Sequence, residues 1–256
     1  MKEPRNQGDT NLRKIGLARA LSKLGYCSRS KARELIRASR VRLNGAIRRD
    51  PETPVHLDED RIKVDGQAVA ATAKVYLVLN KPRGIVTTAA DEKGRDTVYS
   101  LLSADLPWVA PVGRLDKASE GLLLLTNDSE WAAKITAPET HLDKTYHVQI
   151  GAVADDALLQ SLVRGVRSDG EVLCAKRAGI LRRGERNSWL EIALDEGKNR
   201  HIRRMLEELG VEVLRLVRVA IGPLQLGHLA RGSSRALLQA EKSSLDTALQ
   251  SVHKNL

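Results

Sequence analysis

Phenylalanine is absent from the 256 residues, and aromatics together make up only 3%. Any core must therefore be built from Leu, Val, Ile and Ala, and each Trp or Tyr carries more information than usual. Cysteine is scarce too. Cys27 and Cys174 stand far apart, without the Cys/His spacing of a zinc site and too few for a disulfide framework. No apolar run approaches the ~20 residues needed to cross a bilayer. The opening MKEPRNQGDTN lacks the apolar centre of a signal peptide. These absences point to a cytoplasmic protein with no membrane partner. What is present is ordinary for a globular chain of one or two domains, with 42% hydrophobic and 29% charged residues. Nothing in the composition calls for an oligomer, and a monomer is expected.

Charge is distributed unevenly. Residues 11–50 hold twelve Lys or Arg against Glu34 and Asp50, which accounts for the whole formal charge of +10. A solubilising surface would spread its excess, whereas one concentrated patch predicts a polyanionic partner.

The local patterns there describe a small module. Leu17, Ala20, Leu21 and Leu24 recur at helical spacing and Gly25 stops the run. Ser28 reads as the N-cap of a second helix ending near Ala38, with Arg29, Arg33 and Arg37 on one face. VRLNG (41–45) reads as a strand entering an Asn-Gly turn, with a partner strand after it. Guanidinium groups on one rigid face can grip successive phosphates without reading sequence, although a solvated helix face is the bland alternative. Without interleaved aromatics beyond Tyr26, a folded RNA surface suits the module better than a single strand.

A composition shift at 51–60 and the stretch AVAATAK lead into a larger region. There Val75 to Leu79 reads as a buried strand, Asn80 to Gly84 as a turn, 87–94 as polar loop, and 101–106 as the close of a short helix. GRLDKASEGLLLLTND places Asp116 in a polar loop feeding an apolar run that reads as a buried strand. A loop aspartate is more often solvated or a helix cap; it becomes a candidate reactive group only in context. TNDSEWAAKI reads as a capped helix start with Trp131 and Ile135 facing the core. HLDKTYHVQI turns from loop to strand and carries Tyr146, one of four tyrosines. The helix in EGKNRHIRRMLEELG buries Ile202, Met205, Leu206 and Leu209; Arg203 and Arg204 are expected to pair with Glu207 and Glu208, and Gly210 ends it. LRLVRVAIGPL reads as a buried strand with a Gly-Pro turn, and the residues beyond Glu241 read as a loose helix or tail.

Two resemblances emerge from these motifs. LARALSKLGYCSRSKARELIRASRVRLNGAIRRDPETPV resembles the alpha-L RNA-binding domain, which implies RNA contacts for Arg29, Lys31, Arg33, Arg37, Arg40 and Arg42. GRLDKASEGLLLLTND, with LNKPRG, KTYHV, GKNRHIRRM and LRLVRVAIGPL in order, resembles the ribosomal-RNA pseudouridine synthases of the small-subunit type, a family that includes large-subunit enzymes.

The resemblance implies an α+β chain with an alpha-L domain at 15–65, a linker at 66–74, a catalytic domain at 75–241 and a polar tail at 242–256. The catalytic domain would hold a mixed, mainly antiparallel sheet flanked by helices. It implies isomerisation of one flipped uridine in ribosomal RNA or a pre-ribosomal particle, with 23S rRNA preferred. Asp116 would act on the uridine by attack at the ribose, addition to the base, or a glycal route. Tyr146 would stack on the uracil, Arg203 would hold Asp116 ionised and oriented, Arg114 would reshape the RNA where the base leaves, and Leu216 would pack beneath the base. No metal or organic cofactor is implied, because the reaction needs neither redox nor a group donor. Ser119 stands where the family commonly has Thr, and His201 where Gln is usual. An inactive RNA-binding assembly factor and a synthase acting on 16S rRNA are the alternatives; a DNA-binding regulator fits less well.

Overall fold

The computed structural model describes residues 14–88 and 94–252. The expected frayed start at 1–11 and the middle of the polar loop at 87–94 lie outside them. The chain divides into two compact units, residues up to 73 with 107–109, and the remainder.

In the first unit β1 (Ile15–Gly16) leads into α1 (Leu17–Lys23), and α2 (Arg29–Arg37) follows. Ser28 caps α2 as expected, its hydroxyl accepting from the Lys31 N–H at 3.1 Å. Next come β2 (Val41–Leu43), β3 (Ala46–Ile47), β4 (Pro54–Val55), β5 (Ile62–Val64) and β6 (Gln67–Ala68). β4 pairs with β1, and the other strands form one sheet in the order β3-β2-β5-β6. Asn44 and Gly45 both take left-handed φ, 52° and 87°, the backbone that makes Asn-Gly a tight hairpin. Asp65 and Gly66 repeat the device at 50° and 83°. That second hairpin places β6 inside the stretch expected to be linker. Leu17, Leu21, Ala32, Ile36, Val41 and Val64 are all buried between helices and sheet.

The second unit opens with β7 (Tyr76–Lys81), which runs two residues past the expected strand end, so Asn80 and Lys81 belong to the strand rather than to a turn. A short 3-10 turn covers Val98–Leu101, earlier than the helix end expected at 101–106. Then come β8 (Ala110–Val112), the wholly buried β9 (Glu120–Thr126), and α3 (Ser129–Thr136), whose N-cap Asp128 accepts from the Glu130 and Trp131 N–H groups. The chain continues with β10 (Lys144–Ile150), α4 (Asp156–Arg164), β11 (Val166–Ser168), β12 (Glu171–Leu173), β13 (Arg177–Arg183) and β14 (Ser188–Leu194). It closes with α5 (His201–Glu208), β15 (Val213–Ile221), β16 (Leu224–Gln225), β17 (Ser234–Ala236) and α6 (Gln239–Val252).

Among the described residues, nine of these strands form one sheet ordered β13-β14-β10-β15-β9-β7-β17, with β16 on β15 and β8 on β9. β9 runs parallel to β15 and every other pairing in it is antiparallel. The architecture is α+β, a mixed and mainly antiparallel sheet flanked by helices.

The stretch read as a loose helix or polar tail is the helix α6, and it is packed rather than loose. Leu245 and Leu249 on it are 0% and 5% exposed and pack with Val78, Leu122 and Trp131. Burying each contributes roughly 1.5–3 kcal/mol. Polar residues reinforce the seam: Trp131 Nε1 donates to Asp246 at 2.8 Å, and the Tyr76 hydroxyl donates to Asp128 at 2.8 Å. On α5 the expected i,i+4 pairs do not form. Arg204 reaches across to Glu171 at 2.7 Å and the Ser168 carbonyl at 2.9 Å, because a fixed acceptor on another element beats a mobile glutamate on the same helix.

Candidate active site

One row of residues crosses the centre of the sheet. Lys81 on β7 pairs with Gly121 on β9, Gly121 pairs with Arg218 on β15, and Arg218 pairs with Tyr146 on β10. Lateral neighbours in a sheet point to the same face, so Lys81, Arg218 and Tyr146 share one side. A Cβ built on Gly121, whose φ is +101°, would run into the Arg218 carbonyl oxygen. Glycine is therefore required where β9 meets β15. A register shift between Thr145 and Tyr146 leaves one extra residue on β15, a bulge that keeps Arg218 and Ile221 on the face with Tyr146.

On that face lies a cavity of about 630 Å³ whose walls include Asp116, Tyr146, Leu216, Lys144, Arg218 and His201. Arg114, exposed, stands at its rim. A larger groove of about 860 Å³ on the reverse face is lined by Thr145 and His147, and its charges are already paired, with Lys176 2.8 Å from Asp143 and His147 3.6 Å from Glu191. Among the described residues no cluster of three His, Cys, Asp or Glu side chains could hold a metal ion.

Asp116 sits on the loop between β8 and β9, half-buried, and that loop is held by its backbone. Five successive carbonyls from 115 to 119 each accept a hydrogen bond. Thr87 Oγ1 donates to Leu115 O at 2.8 Å, Lys81 Nζ to Asp116 O at 3.1 Å, and the Gly84 N–H to Lys117 O at 2.8 Å. Arg203 Nη2 donates to Ala118 O at 3.0 Å, and Lys81 Nζ again to Ser119 O at 2.8 Å. Buried polar groups so fully satisfied leave the loop one arrangement. The Ser119 hydroxyl makes no hydrogen bond among the described residues; its backbone does so instead.

Lys81 is the group that inspection of the motifs missed. Its side chain is fully buried and its ammonium has three carbonyl acceptors, the third being Pro82 O at 3.1 Å. Burial pushes its pKa down to about 8, Asp116 and Glu120 oppose that, and Arg218 adds to it. A lysine inside the apolar run VYLVLNK was the available signal, because a charged residue closing a buried strand must find partners. Glu120, 5% exposed, is bound bidentately by Arg215 at 2.8 and 3.0 Å. Burial raises the pKa of its carboxyl, but the Arg215 hydrogen bond with the charges of Arg215 and Arg231 brings it below the ordinary value.

Arg203 departs from expectation in one respect. It forms no ion pair with Asp116; it grips Ala118 two residues along, and its Nε is buried without an acceptor among the described residues. Its pKa is lowered first by burial and then by Arg200, while Asp116 acts through space in the opposite direction. His201 opens α5 at 5% exposure with both ring nitrogens lacking partners, and burial followed by Lys198 pulls its pKa below the ordinary value. Leu216 is 6% exposed and lines the cavity with Tyr146.

The six basic residues singled out in the first unit are all exposed. Arg40 is held by Asp65 through two bonds of 2.8 and 2.6 Å, Lys31 by Glu34 at 2.8 Å, and Arg42 donates to Gly45 O at 2.9 Å. Arg33 lies 3.8 Å from Glu52, while Arg29 and Arg37 have no ion pair among the described residues.

A carboxylate on an immobilised loop, lining one cavity with an aromatic ring and several cations, in a chain that also carries a basic RNA-binding type of module, defines an RNA-modifying enzyme. The pattern described as RNA pseudouridylate synthase matches residues 75–208, and that of the S4 domain matches residues 15–62. A ribosomal large subunit pseudouridine synthase B of Bacillus subtilis (strain 168) is 36% identical over 231 residues, 90% of this chain and 94% of that one. An uncharacterized RNA pseudouridine synthase of Aquifex aeolicus (strain VF5) is 37% identical over 237 residues, 92% and 95% of the two chains. A crystal structure of a pseudouridylate synthase superposes with a TM-score of 0.64 at 29% identity, over 90% of this chain and 99% of that one. The chain belongs to the RNA pseudouridylate synthase family and carries an N-terminal S4 RNA-binding domain.

Proposed function

We propose that this enzyme isomerises one uridine of ribosomal RNA, preferably 23S rRNA, to pseudouridine, acting as a cytoplasmic monomer on rRNA or a pre-ribosomal particle. The observation that carries the reading is the loop of Asp116, pinned at five successive carbonyls, over a cavity lined by Tyr146 and Leu216. The name of the Bacillus subtilis relative supports the large-subunit preference.

Asp116 supplies the carboxylate that acts on the uridine as nucleophile or base. Holding the loop by its backbone leaves that carboxylate aimed without engaging it, and Arg203 contributes to that hold through Ala118 O. Tyr146 and Leu216 bracket the flipped uracil, retaining the base while it turns. Arg114 at the rim fills or reshapes the helix the base has left. Arg29, Lys31, Arg33, Arg37, Arg40 and Arg42 bind phosphates of a folded RNA.

The test is to incubate the protein with protein-poor rRNA, map the pseudouridines, and compare rRNA from cells with and without the gene. One uridine converted in the first and unconverted in the deletion strain is expected. No new site in either experiment overturns the reading, and a site in 16S rRNA overturns the target preference alone.

A further inference from the structure

Arg218 is a buried charge that the roles above do not use. It is 6% exposed, stands beside Tyr146 in the central row of the sheet, and lines the cavity. Its Nε donates to Leu122 O at 2.7 Å. Its Nη2 is buried with no acceptor among the described residues. Buried N–H groups of a charged side chain are almost always satisfied, so an orphan on a cavity wall marks the place of a missing acceptor.

The surroundings say which acceptor. Lys81 has its ammonium committed to three carbonyls, and both Lys81 and Lys144 feel Arg218 as an unfavourable like charge. Like charges are therefore held together at this wall, and a donor of Arg218 is left unspent. Phosphates of the RNA backbone have other partners nearer the mouth, where Arg114 and Arg200 line the cavity and are exposed. A donor beside the ring that stacks on the base meets the base itself.

We propose that Arg218 is a further catalytic residue: its guanidinium binds a carbonyl oxygen of the flipped uracil and stabilises the negative charge gathering there as the base leaves the ribose. This rests on the isomerase reading. When the C1′–N1 bond breaks, its electron pair stays on the base, spread over N1 and the two carbonyl oxygens. Forming C5–C1′ then releases the C5 proton, and N1 takes one up, so no external reagent is needed. A guanidinium fixed in the wall of the cavity acts on that charge without reorganising.

The test uses the full chain and an RNA fragment carrying the mapped uridine. Wild-type turnover on the unmodified fragment comes first and tests the isomerase reading alone. R218K is then compared with the wild type for thermal unfolding, RNA affinity and single-turnover rate. We expect a rate about 10²-fold lower, with the melting temperature and the RNA Kd close to wild type. R218A should recover part of the lost rate in added guanidinium chloride but not in sodium chloride of the same ionic strength. Fragments with 2-thiouridine or 4-thiouridine at the target weaken each acceptor in turn; one of them should slow the wild type and have little further effect on R218K, the coupling expected of direct contact. R218K at the wild-type rate, or thio effects that simply add to the substitution for both oxygens, overturns the proposal. If neither variant folds, an undiminished wild-type rate on both thio substrates overturns it as well.

Discussion

The two units handle positive charge in opposite ways. In the S4 domain the arginines are outside, on a helix face and a hairpin, and Arg29 and Arg37 lack any acidic partner among the described residues. In the catalytic unit the important cations are inside: Lys81 is fully buried and Arg218 nearly so, each with backbone acceptors. Exposed cations attract a polyanion over a distance and lose strength with salt. Buried ones need acceptors from the protein or from what it binds, and in return they fix geometry. Affinity and chemistry are thus expected to separate by unit. The largest test of that separation is Asp116→Asn. Turnover should fall by at least about 10³-fold, because the reactive group is gone, while RNA binding measured by filter retention stays near wild type. A parallel loss of affinity breaks the comparison.

The next effect belongs to Lys81. Lys81→Met keeps the length and removes the ammonium, leaving the carbonyls of Pro82, Asp116 and Ser119 without that donor. A buried carbonyl left unsatisfied costs about 1–3 kcal/mol, so a fall in melting temperature should accompany a loss of rate. A variant with wild-type stability and rate would mean the loop does not depend on this anchor.

The same contrast decides what could be read from the amino-acid order. Features whose signals are local were legible, exposed or buried. Ser28 caps α2, Asn44-Gly45 turns the hairpin, the run of four leucines is a buried strand and Gly210 ends α5, all within a few residues of their cause. Asp116, Tyr146 and Leu216 were picked out by motif and do share one cavity. The anchors of the loop were not legible, since a sequence does not record which way a carbonyl points or what reaches it from 35 residues away, as Lys81 reaches Asp116. Arg204 was misassigned for a related reason: spacing offers Glu208, but Ser168 and Glu171 are supplied by tertiary structure. In α6 two leucines amid polar residues form too thin a stripe to announce a core helix, yet Leu245 is fully buried.

The buried lysine also predicts an unusual pH response. Its pKa is about 8 in the folded protein against 10.5 for the unperturbed group. Between those values the unfolded chain binds more protons, so this group's contribution to stability rises with pH across that window. The charge that holds the loop is lost as pH rises through about 8. Single-turnover rate should therefore fall across pH 7–9, up to about tenfold per unit above the transition, without a matching fall in melting temperature. A flat rate profile, or a rate that follows unfolding, removes Lys81 from the account.

The smallest effect should come from the outside arginines, and it sharpens the comparison most because it is read as a slope. Arg29→Ala with Arg37→Ala removes two cations that have no acid to release among the described residues, so any phosphate they bind is lost outright. Each phosphate contact on RNA contributes roughly 0.7–0.9 to the dependence of log K on log salt. The double variant should bind about tenfold more weakly in low salt and show a slope shallower by about 1.4–1.8. Arg40→Ala should change the slope less, because Arg40 already spends both ends of its guanidinium on Asp65. A slope unchanged in the double variant would place RNA affinity elsewhere in the chain; equal effects at Arg40 and Arg37 would mean that Asp65 releases its partner when RNA arrives.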